Sequence, residues 1–225
     1  MVDPMGEATC RSVERIFDGV SFNKSDRKKL QFEDKKLNRF FENGILNYSL
    51  VEVVGVPGTG KTQFALTLCA ELLLKNMDEK KQAIVFYDFF QLIKKDIYYI
   101  LKHHQISLLV VDSLNSLFNA NDNLDSYRKC QLFTGISQTL KKLAYENNFF
   151  LLVLNSWQPR RDYINFSFNI FDYVINSSFS NTIIFFKKRK RKNEIYRRMT
   201  IKHSEFLRKY KSMRFEINDS GFRVS

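Results

Sequence analysis

The residue types and spacing best suited to chemistry lie in one stretch of eight residues. They are Gly55, Val56, Pro57, Gly58, Thr59, Gly60, Lys61 and Thr62. Glycine has no Cβ, so the backbone N–H groups of such a turn can point inward at phosphate oxygens. A lysine at the seventh position can reach the β- and γ-phosphates of a nucleotide, and the hydroxyl after it can bind Mg²⁺. The stretch matches G-x-x-x-x-G-K-[ST] in full, which predicts a nucleotide-binding loop.

A carboxylate that could complete this site follows a later apolar run, Leu108–Asp112. If the run is a buried strand beside the loop, Asp112 lies where Mg²⁺ could be reached, directly or through water, with Thr62 as the other metal ligand. Guanine recognition is not supported, because the only Asn-Lys-x-Asp sequence, Asn23–Asp26, lies upstream of the loop. The residues therefore predict Mg-ATP as the ligand.

The elements that must position these groups follow from hydrophobic patterning. The loop is preceded by a β-like run at 50–54 and followed by an amphipathic helix at 62–75. Further strands are predicted at 83–87, 107–111 and 149–154, and helices at 36–41, 92–103 and 124–147. Strands alone follow, at 173–176, 182–187, 194–201 and 214–217. Apolar strands alternating with helices predict an α/β fold, a mainly parallel central sheet with helices on both faces, closed by antiparallel C-terminal strands.

The polar first 30 residues are predicted to form an arm for partner binding, with residues 31–225 as a single core. Membrane binding is not expected, because no apolar run approaches the roughly 20 residues that a span needs. The three cysteines are widely separated and lack CxxC spacing. A disulfide framework and a structural zinc site are therefore not expected. The cysteine usage instead indicates a protein of a reducing compartment.

The net charge of +12 is concentrated in one segment. Between positions 187 and 214 there are thirteen Lys or Arg residues and two acids, so this segment carries nearly the whole excess. Such a patch favours a polyanion, most often nucleic acid. A nuclear import signal is the alternative use, and either use predicts a nuclear protein. The candidate DNA-binding residues here are Lys187, Lys188, Arg189, Lys190, Arg191, Lys192, Arg197 and Arg198.

Several of these stretches together resemble the RecA-like strand-exchange recombinases. The resemblance covers about residues 30–225 and is carried by the following stretches: Phe32–Ile45, Val51–Gln63, Leu108–Ser113, the long helix to Asn148, Phe149–Asn155, Arg197–Ile201, Arg214–Ile217 and Gly221. It implies a RecA-type ATPase core, in a paralogue of the eukaryotic recombinase reduced to that core. The implied function is to bind ATP and DNA and to assist the recombinase in homologous recombination and DNA repair.

The departures from the family pattern bear on catalysis. The family's catalytic glutamate follows an aspartate by two residues, and here Phe90 stands two residues after Asp88. The family's Asn-Gln sensor is Asn155-Ser156, and its Asp-Pro cap over a neighbour's nucleotide has become His203–Glu205. The resemblance therefore implies ATP binding with weak or absent hydrolysis, no assigned catalytic residue, and Asn155 as the remaining sensor.

The family's DNA-facing loops correspond here to Asn119–Lys129 and Trp157–Ile170. In the second loop, Arg160 and Arg161 stand among aromatic residues. Arginine with interleaved aromatics suits single-stranded DNA, because bases stack on the rings and arginine binds phosphates. The alternative is that the aromatic side chains pack onto the sheet or a partner.

Filament-forming relatives use a Phe-x-x-Ala segment ahead of the core to bind a neighbouring subunit. The nearest match here is Phe17–Val20, in which Val20 replaces the small residue. Phe17 and Val20 are thus predicted to contact a different partner, either another recombinase paralogue or a small adaptor. The expected partners also include single-stranded or junction DNA and the recombinase. Two alternative functions stay open, a DNA-dependent ATPase acting in its own right and a non-enzymatic scaffold.

Overall fold

The computed structural model of the chain describes residues 28–75, 82–87, 97–114, 126–156, 180–191, 194–219 and 221–224. Within these ranges the helices are α1 (Lys35–Phe40), α2 (Lys61–Lys75), α3 (Ile97–His103) and α4 (Ser126–Asn147). The strands are β1 (Lys29–Leu30), β2 (Ile45–Leu46), β3 (Leu50–Gly55), β4 (Gln82–Tyr87), β5 (Gln105–Asp112), β6 (Phe150–Ser156), β7 (Thr182–Arg191), β8 (Glu194–Ser204), β9 (Ser212–Asn218) and β10 (Gly221–Val224). The predicted strand at 173–176 lies outside the described residues.

Eight of these strands form one mixed sheet, in the order β10-β9-β8-β7-β3-β6-β5-β4. The strands from β7 to β4 along this order run parallel to their neighbours. The strands β7, β8, β9 and β10 pair antiparallel in sequence order. We call residues 55–62, the predicted nucleotide-binding loop, the phosphate loop. The strand that leads into it, β3, is therefore central and has a parallel neighbour on each side.

Two hydrophobic clusters hold the parallel half of the sheet between helices. On one face, Phe64, Leu68 and Leu72 of α2 pack with side chains of β3, β5 and β6. On the opposite face, Leu140 and Leu143 of α4 pack with side chains of the same three strands, and α3 joins this second cluster. The alternation of side chains along each strand assigns successive residues to opposite faces.

The antiparallel half curls around α2 rather than continuing the plane of the sheet. Phe64 of α2 contacts Phe186 of β7, with ring centroids 5.6 Å apart, and Phe222 of β10, at 5.3 Å. The pairing of β7 with β8 shifts register between Ile183 and Ile184. Such an irregularity bends a strand and increases its local twist, which brings β8–β10 over the helix.

The predicted fold class is wrong. The described chain is sheet-rich, with 43% strand and 33% helix, and its sheet is mixed and strongly curled. Three of the seven neighbouring strand pairs are antiparallel, so the sheet is mixed. The helices α3 and α4 pack against the parallel half only. Helices thus cover both faces of the parallel half alone, and the architecture as a whole is not a RecA-type core with helices on both faces. The hydrophobic pattern predicted strands within β7, β8 and β9, but it predicted neither β10 nor the curl of this half of the sheet.

The segment before β3 is packed onto the same core. Asp34 caps α1, since its side chain accepts hydrogen bonds from the backbone N–H groups of Lys36 and Leu37. Phe32 and Phe41 stack with ring centroids 4.9 Å apart and join the cluster around α2. Among the described helices none is long and apolar enough to cross a bilayer.

Candidate nucleotide and nucleic-acid sites

The phosphate loop connects the central strand β3 to the helix α2. All six residues of β3 are buried, and α2 begins at Lys61. The first helical hydrogen bond runs from Phe64 N to Gly60 O, at 3.0 Å. The unpaired N–H groups and the positive dipole end of α2 therefore face the loop, an arrangement that favours an anion.

Two glycines of the loop are required by close contacts. A Cβ on Gly55 would lie 2.6 Å from the carbonyl oxygen of Phe186. Gly60 has a φ of 106°, and a Cβ there would lie 2.5 Å from Cδ1 of Ile217 in β9. A side chain at position 55 would displace the backbone of β7. One at position 60 would have a strained φ and would push aside the end of the Ile217 side chain.

Lys61 is held at the centre of the loop. Its Nζ donates hydrogen bonds to the carbonyl oxygens of Gly55, at 2.8 Å, and Val56, at 3.3 Å. The residue is only 8% exposed. Burial lowers the pKa of Lys61, and the charge of Asp112 opposes that change. A desolvated ammonium group surrounded by carbonyl oxygens interacts strongly with an incoming phosphate.

Thr62 and Asp112 meet at the mouth of the loop. The Thr62 hydroxyl donates to Oδ2 of Asp112 over 3.4 Å, and Asp112 is the last residue of β5, as predicted. Both groups offer oxygen ligands, which suit Mg²⁺. In the described part of the chain no group of three or more His, Cys, Asp or Glu could hold a metal by itself. Mg²⁺ usually takes one or two ligands from the protein and the others from substrate phosphates and water. The Thr62 hydroxyl and the Asp112 carboxylate fit that arrangement.

Sequence reasoning missed a buried carboxyl group beside the loop. Glu52 lies in the middle of β3, is 0% exposed, and accepts hydrogen bonds from Asn155 Nδ2 and Ser180 Oγ, both at 2.7 Å. Burial raises the pKa of Glu52, while the two hydrogen bonds oppose the rise. The signal in the sequence was a lone acid inside an apolar strand. Asn155, the predicted sensor, is thereby fixed against β3 on the α4 side of the sheet.

The basic segment forms the β7–β8 hairpin, and its side chains are divided between two faces. Lys188 lies opposite Arg197, and Lys187 lies opposite Arg198. Because paired residues of antiparallel strands share a face and successive residues alternate, the two pairs lie on opposite sides. Lys188 and Arg197 share the face of Phe186, which packs against α2. We call this the loop face.

The opposite side of the hairpin, which we call the open face, is basic and aromatic. Together with the adjacent strand β9 it includes Phe185, Lys187, Arg189, Tyr196, Arg198, Lys202 and Arg214, and the same register also places the acids Glu194 and Glu216 on it. The Arg214 guanidinium lies 6.0 Å from the Tyr196 ring centroid. Burial lowers the pKa of Lys187, and the positive charges of Arg189 and Lys202 lower it further. Arg214 and Lys202 were not among the predicted DNA-binding residues, because only the strand register reveals their position on this face.

Ser204 and Glu205, in the segment predicted to replace the family's cap, make contacts within the chain. The Ser204 hydroxyl accepts from the backbone N–H groups of Phe206 and Leu207. Glu205 accepts a 2.9 Å hydrogen bond from Asn181 Nδ2. Burial lowers the pKa of His203, with Lys209 adding to the effect. The segment is therefore anchored to the start of β7 in this chain.

Several predicted site residues lie outside the described part of the chain. They are Phe17, Val20, Asp88, Phe90, Arg160, Arg161 and Lys192, and for Arg191 only the backbone is described. The predictions for them stay predictions. The described residues bring the phosphate loop, the Thr62–Asp112 pair and Lys188 to one end of β3. This arrangement can hold a magnesium nucleotide. No protein-family model matches the chain, and no curated protein matches it.

Proposed function

We propose that this protein binds Mg-ATP and DNA and assists a strand-exchange recombinase in homologous recombination and DNA repair in the nucleus. ATP turnover is slow in this proposal, and the protein works as a heteromer with another recombinase paralogue or a small adaptor. The observation that carries the proposal is the phosphate loop. Its lysine is held at the centre of the loop, and its threonine lies beside a strand-terminal aspartate.

The geometry supports the nucleotide part most directly. The loop joins a central buried strand to a helix N-terminus, which is the context that the motif requires. Two loop glycines have left-handed backbone conformations, Gly58 with a φ of 74° and Gly60 with a φ of 106°. Such conformations let backbone N–H groups converge on an anion without steric cost.

The open face of the hairpin supports the DNA part. It carries five cationic side chains, from Lys187 to Arg214, against the two acids Glu194 and Glu216, together with Phe185 and Tyr196. Cations bind the phosphate backbone, and aromatic rings stack with unpaired bases. The recombination part rests on the resemblance in the motifs alone, since the curled mixed sheet differs from the fold which that resemblance implied.

The nucleotide proposal predicts tight ATP binding that depends on Mg²⁺. We expect titration calorimetry to detect ATP binding in MgCl₂ and a loss of about tenfold or more in EDTA, because Thr62 and Asp112 act through the metal. Turnover should be slow, since general-base assistance normally supplies about 10²–10⁴-fold and Phe90 cannot provide it.

Asp112→Asn should bring ATP affinity in MgCl₂ close to the wild-type value in EDTA. Absence of ATP binding would refute the proposed function. Robust DNA-stimulated turnover would favour the alternative of an independent ATPase.

The DNA proposal predicts a salt-dependent, sequence-independent affinity that the open face controls. A variant with alanine at Lys187, Arg189, Arg198 and Arg214 should bind single-stranded DNA about tenfold or more weakly near 0.1 M salt. Each lost phosphate contact should flatten the log–log salt dependence by about 0.7. Fluorescence anisotropy across a salt series measures both quantities.

The control removes the same charge elsewhere, with alanine at the exposed lysines Lys35, Lys36, Lys102 and Lys142. If both quadruple variants weaken DNA binding equally, net charge rather than the open face is responsible. A salt-independent affinity would contradict the proposal altogether.

A further inference from the structure

Lys188 reaches the phosphate loop from the β7–β8 hairpin. A Cβ built on Gly58 would lie 3.9 Å from Lys188 Nζ, and among the described residues no other heavy atom beyond the glycine and its chain neighbours lies within 4 Å of that point. Gly58 is the third residue after Gly55, at the tip of the loop. Lys188 itself is exposed. Its ammonium group is therefore available at the side of the loop where a phosphate chain would lie.

Arg197 is a second cation on the same face. It pairs with Lys188 in β7 and with Phe215 in β9. The Phe215 ring in turn reaches the loop, since a Cβ on Gly60 would lie 3.3 Å from its Cε2. Register thus places Arg197 between Lys188 and Phe215, whose side chains both approach the loop.

The Nε atom of Arg197 is buried and has no hydrogen-bond partner among the described residues. A buried donor without an acceptor is costly, and native structures normally satisfy such a group. Anionic oxygens are the acceptors that a guanidinium binds most strongly. Because Arg197 shares the loop face with Lys188, we assign an anion seated in the loop as the acceptor for this atom.

We propose that Lys188 and Arg197 bind the terminal phosphate of the nucleotide held by the loop of the same chain. This inference rests on the proposed nucleotide binding and extends it. The hairpin then has two functions, because its loop face binds the nucleotide and its open face binds DNA. Lys188 and Arg197, which the sequence grouped with the DNA-binding residues, belong to the nucleotide site.

The proposed contact should favour binding of a nucleoside triphosphate over a diphosphate. The γ-phosphate adds negative charge and three oxygens at the end of the chain, where an exposed lysine and a guanidinium can share them. A diphosphate lacks that group, so the two cations contribute little to its binding. The ratio of ADP to ATP dissociation constants is therefore the quantity that reports this contact.

The test compares alanine variants of two residue pairs that lie opposite each other in the β7–β8 pairing. One pair lies on each face of the hairpin. Lys188→Ala and Arg197→Ala should each weaken binding of a non-hydrolysable ATP analogue by about tenfold and change ADP binding by less than about twofold. The matched controls Lys187→Ala and Arg198→Ala should leave both nucleotide affinities unchanged and weaken DNA binding. Arg197→Lys should bind ATP more tightly than Arg197→Ala but less tightly than wild type. Lysine keeps the positive charge but lacks the planar set of donors of a guanidinium group.

The outcomes are distinct. An unchanged ratio of ADP to ATP affinity in Lys188→Ala overturns the inference while leaving the proposed function intact. An equal loss of both nucleotides overturns it too, because the contact would then not be with the terminal phosphate. Wild-type protein that binds neither nucleotide refutes the proposed function, and this inference with it. If Arg197→Ala does not fold, the nucleotide affinities of Lys188→Ala test the inference by themselves, because Lys188 is exposed.

Discussion

Replacing Lys61 by alanine should weaken ATP binding by about 100-fold or more while leaving the fold intact. The ammonium group is desolvated and held by the carbonyl oxygens of Gly55 and Val56 in the described structure. A phosphate offers it stronger, charge-assisted hydrogen bonds, each typically contributing about 1.5–3 kcal/mol. Two such bonds correspond to at least two orders of magnitude in affinity.

Stability should respond differently from affinity. Burying a cation costs free energy, and burial indeed lowers the pKa of Lys61. Alanine removes that cost together with two hydrogen bonds, so we expect only a small change in Tm. Lys75→Ala, at the other end of α2, is the control and should leave ATP affinity unchanged. Equal affinities of wild type and Lys61→Ala would mean that the loop does not bind the nucleotide.

Replacing Phe64 by alanine should lower the free energy of unfolding by about 3–5 kcal/mol. Phe64 is 1% exposed and forms the centre of an aromatic cluster on α2. Its ring lies within about 6.5 Å of four others, those of Phe32, Phe41, Phe186 and Phe222. These rings come from the segment before β3 and from the strands β7 and β10, so the cavity has walls that cannot easily collapse together.

Urea unfolding followed by circular dichroism measures this effect. The control is Leu74→Ala on the same helix, which removes a side chain that is 69% exposed and should change stability by less than about 0.5 kcal/mol. The loss of unfolding free energy in Phe64→Leu should lie between the losses in Phe64→Ala and Leu74→Ala. A loss below 1 kcal/mol in Phe64→Ala would contradict the packing described for α2.

Much of the element pattern could be predicted because apolar periodicity is local. The predicted helix at 62–75 is α2 within one residue, and the predicted strand at 50–54 is β3 without its last residue. The strand before residues 55–62 and the helix after them were equally predictable, since the motif specifies the backbone that it needs. Asp112 at the end of β5 followed from the same local reasoning.

The arrangement of the antiparallel half could not be predicted from the sequence. The run from Lys187 to Arg191 has no apolar alternation, yet it continues β7 because β8 pairs with it. Only that pairing shows that Lys188 and Lys187 lie on different faces. The curl likewise depends on contacts such as Ile217 with Gly60, between residues distant in sequence. The hydrophobic pattern carries no information about the faces of these lysines or about the curl of the sheet.

The contact of β10 with α2 has a consequence for the order of events during synthesis. Phe222 N donates to Thr67 Oγ1 across 155 residues of sequence. At about 5–20 residues per second, the ribosome needs roughly 8–30 s to make the intervening chain. During that time the aromatic side of α2 lacks the strands that cover it. The nascent chain thus exposes Phe64 and its neighbours long after the phosphate loop has emerged. Chaperones that hold apolar segments should therefore bind this stretch until β10 is complete.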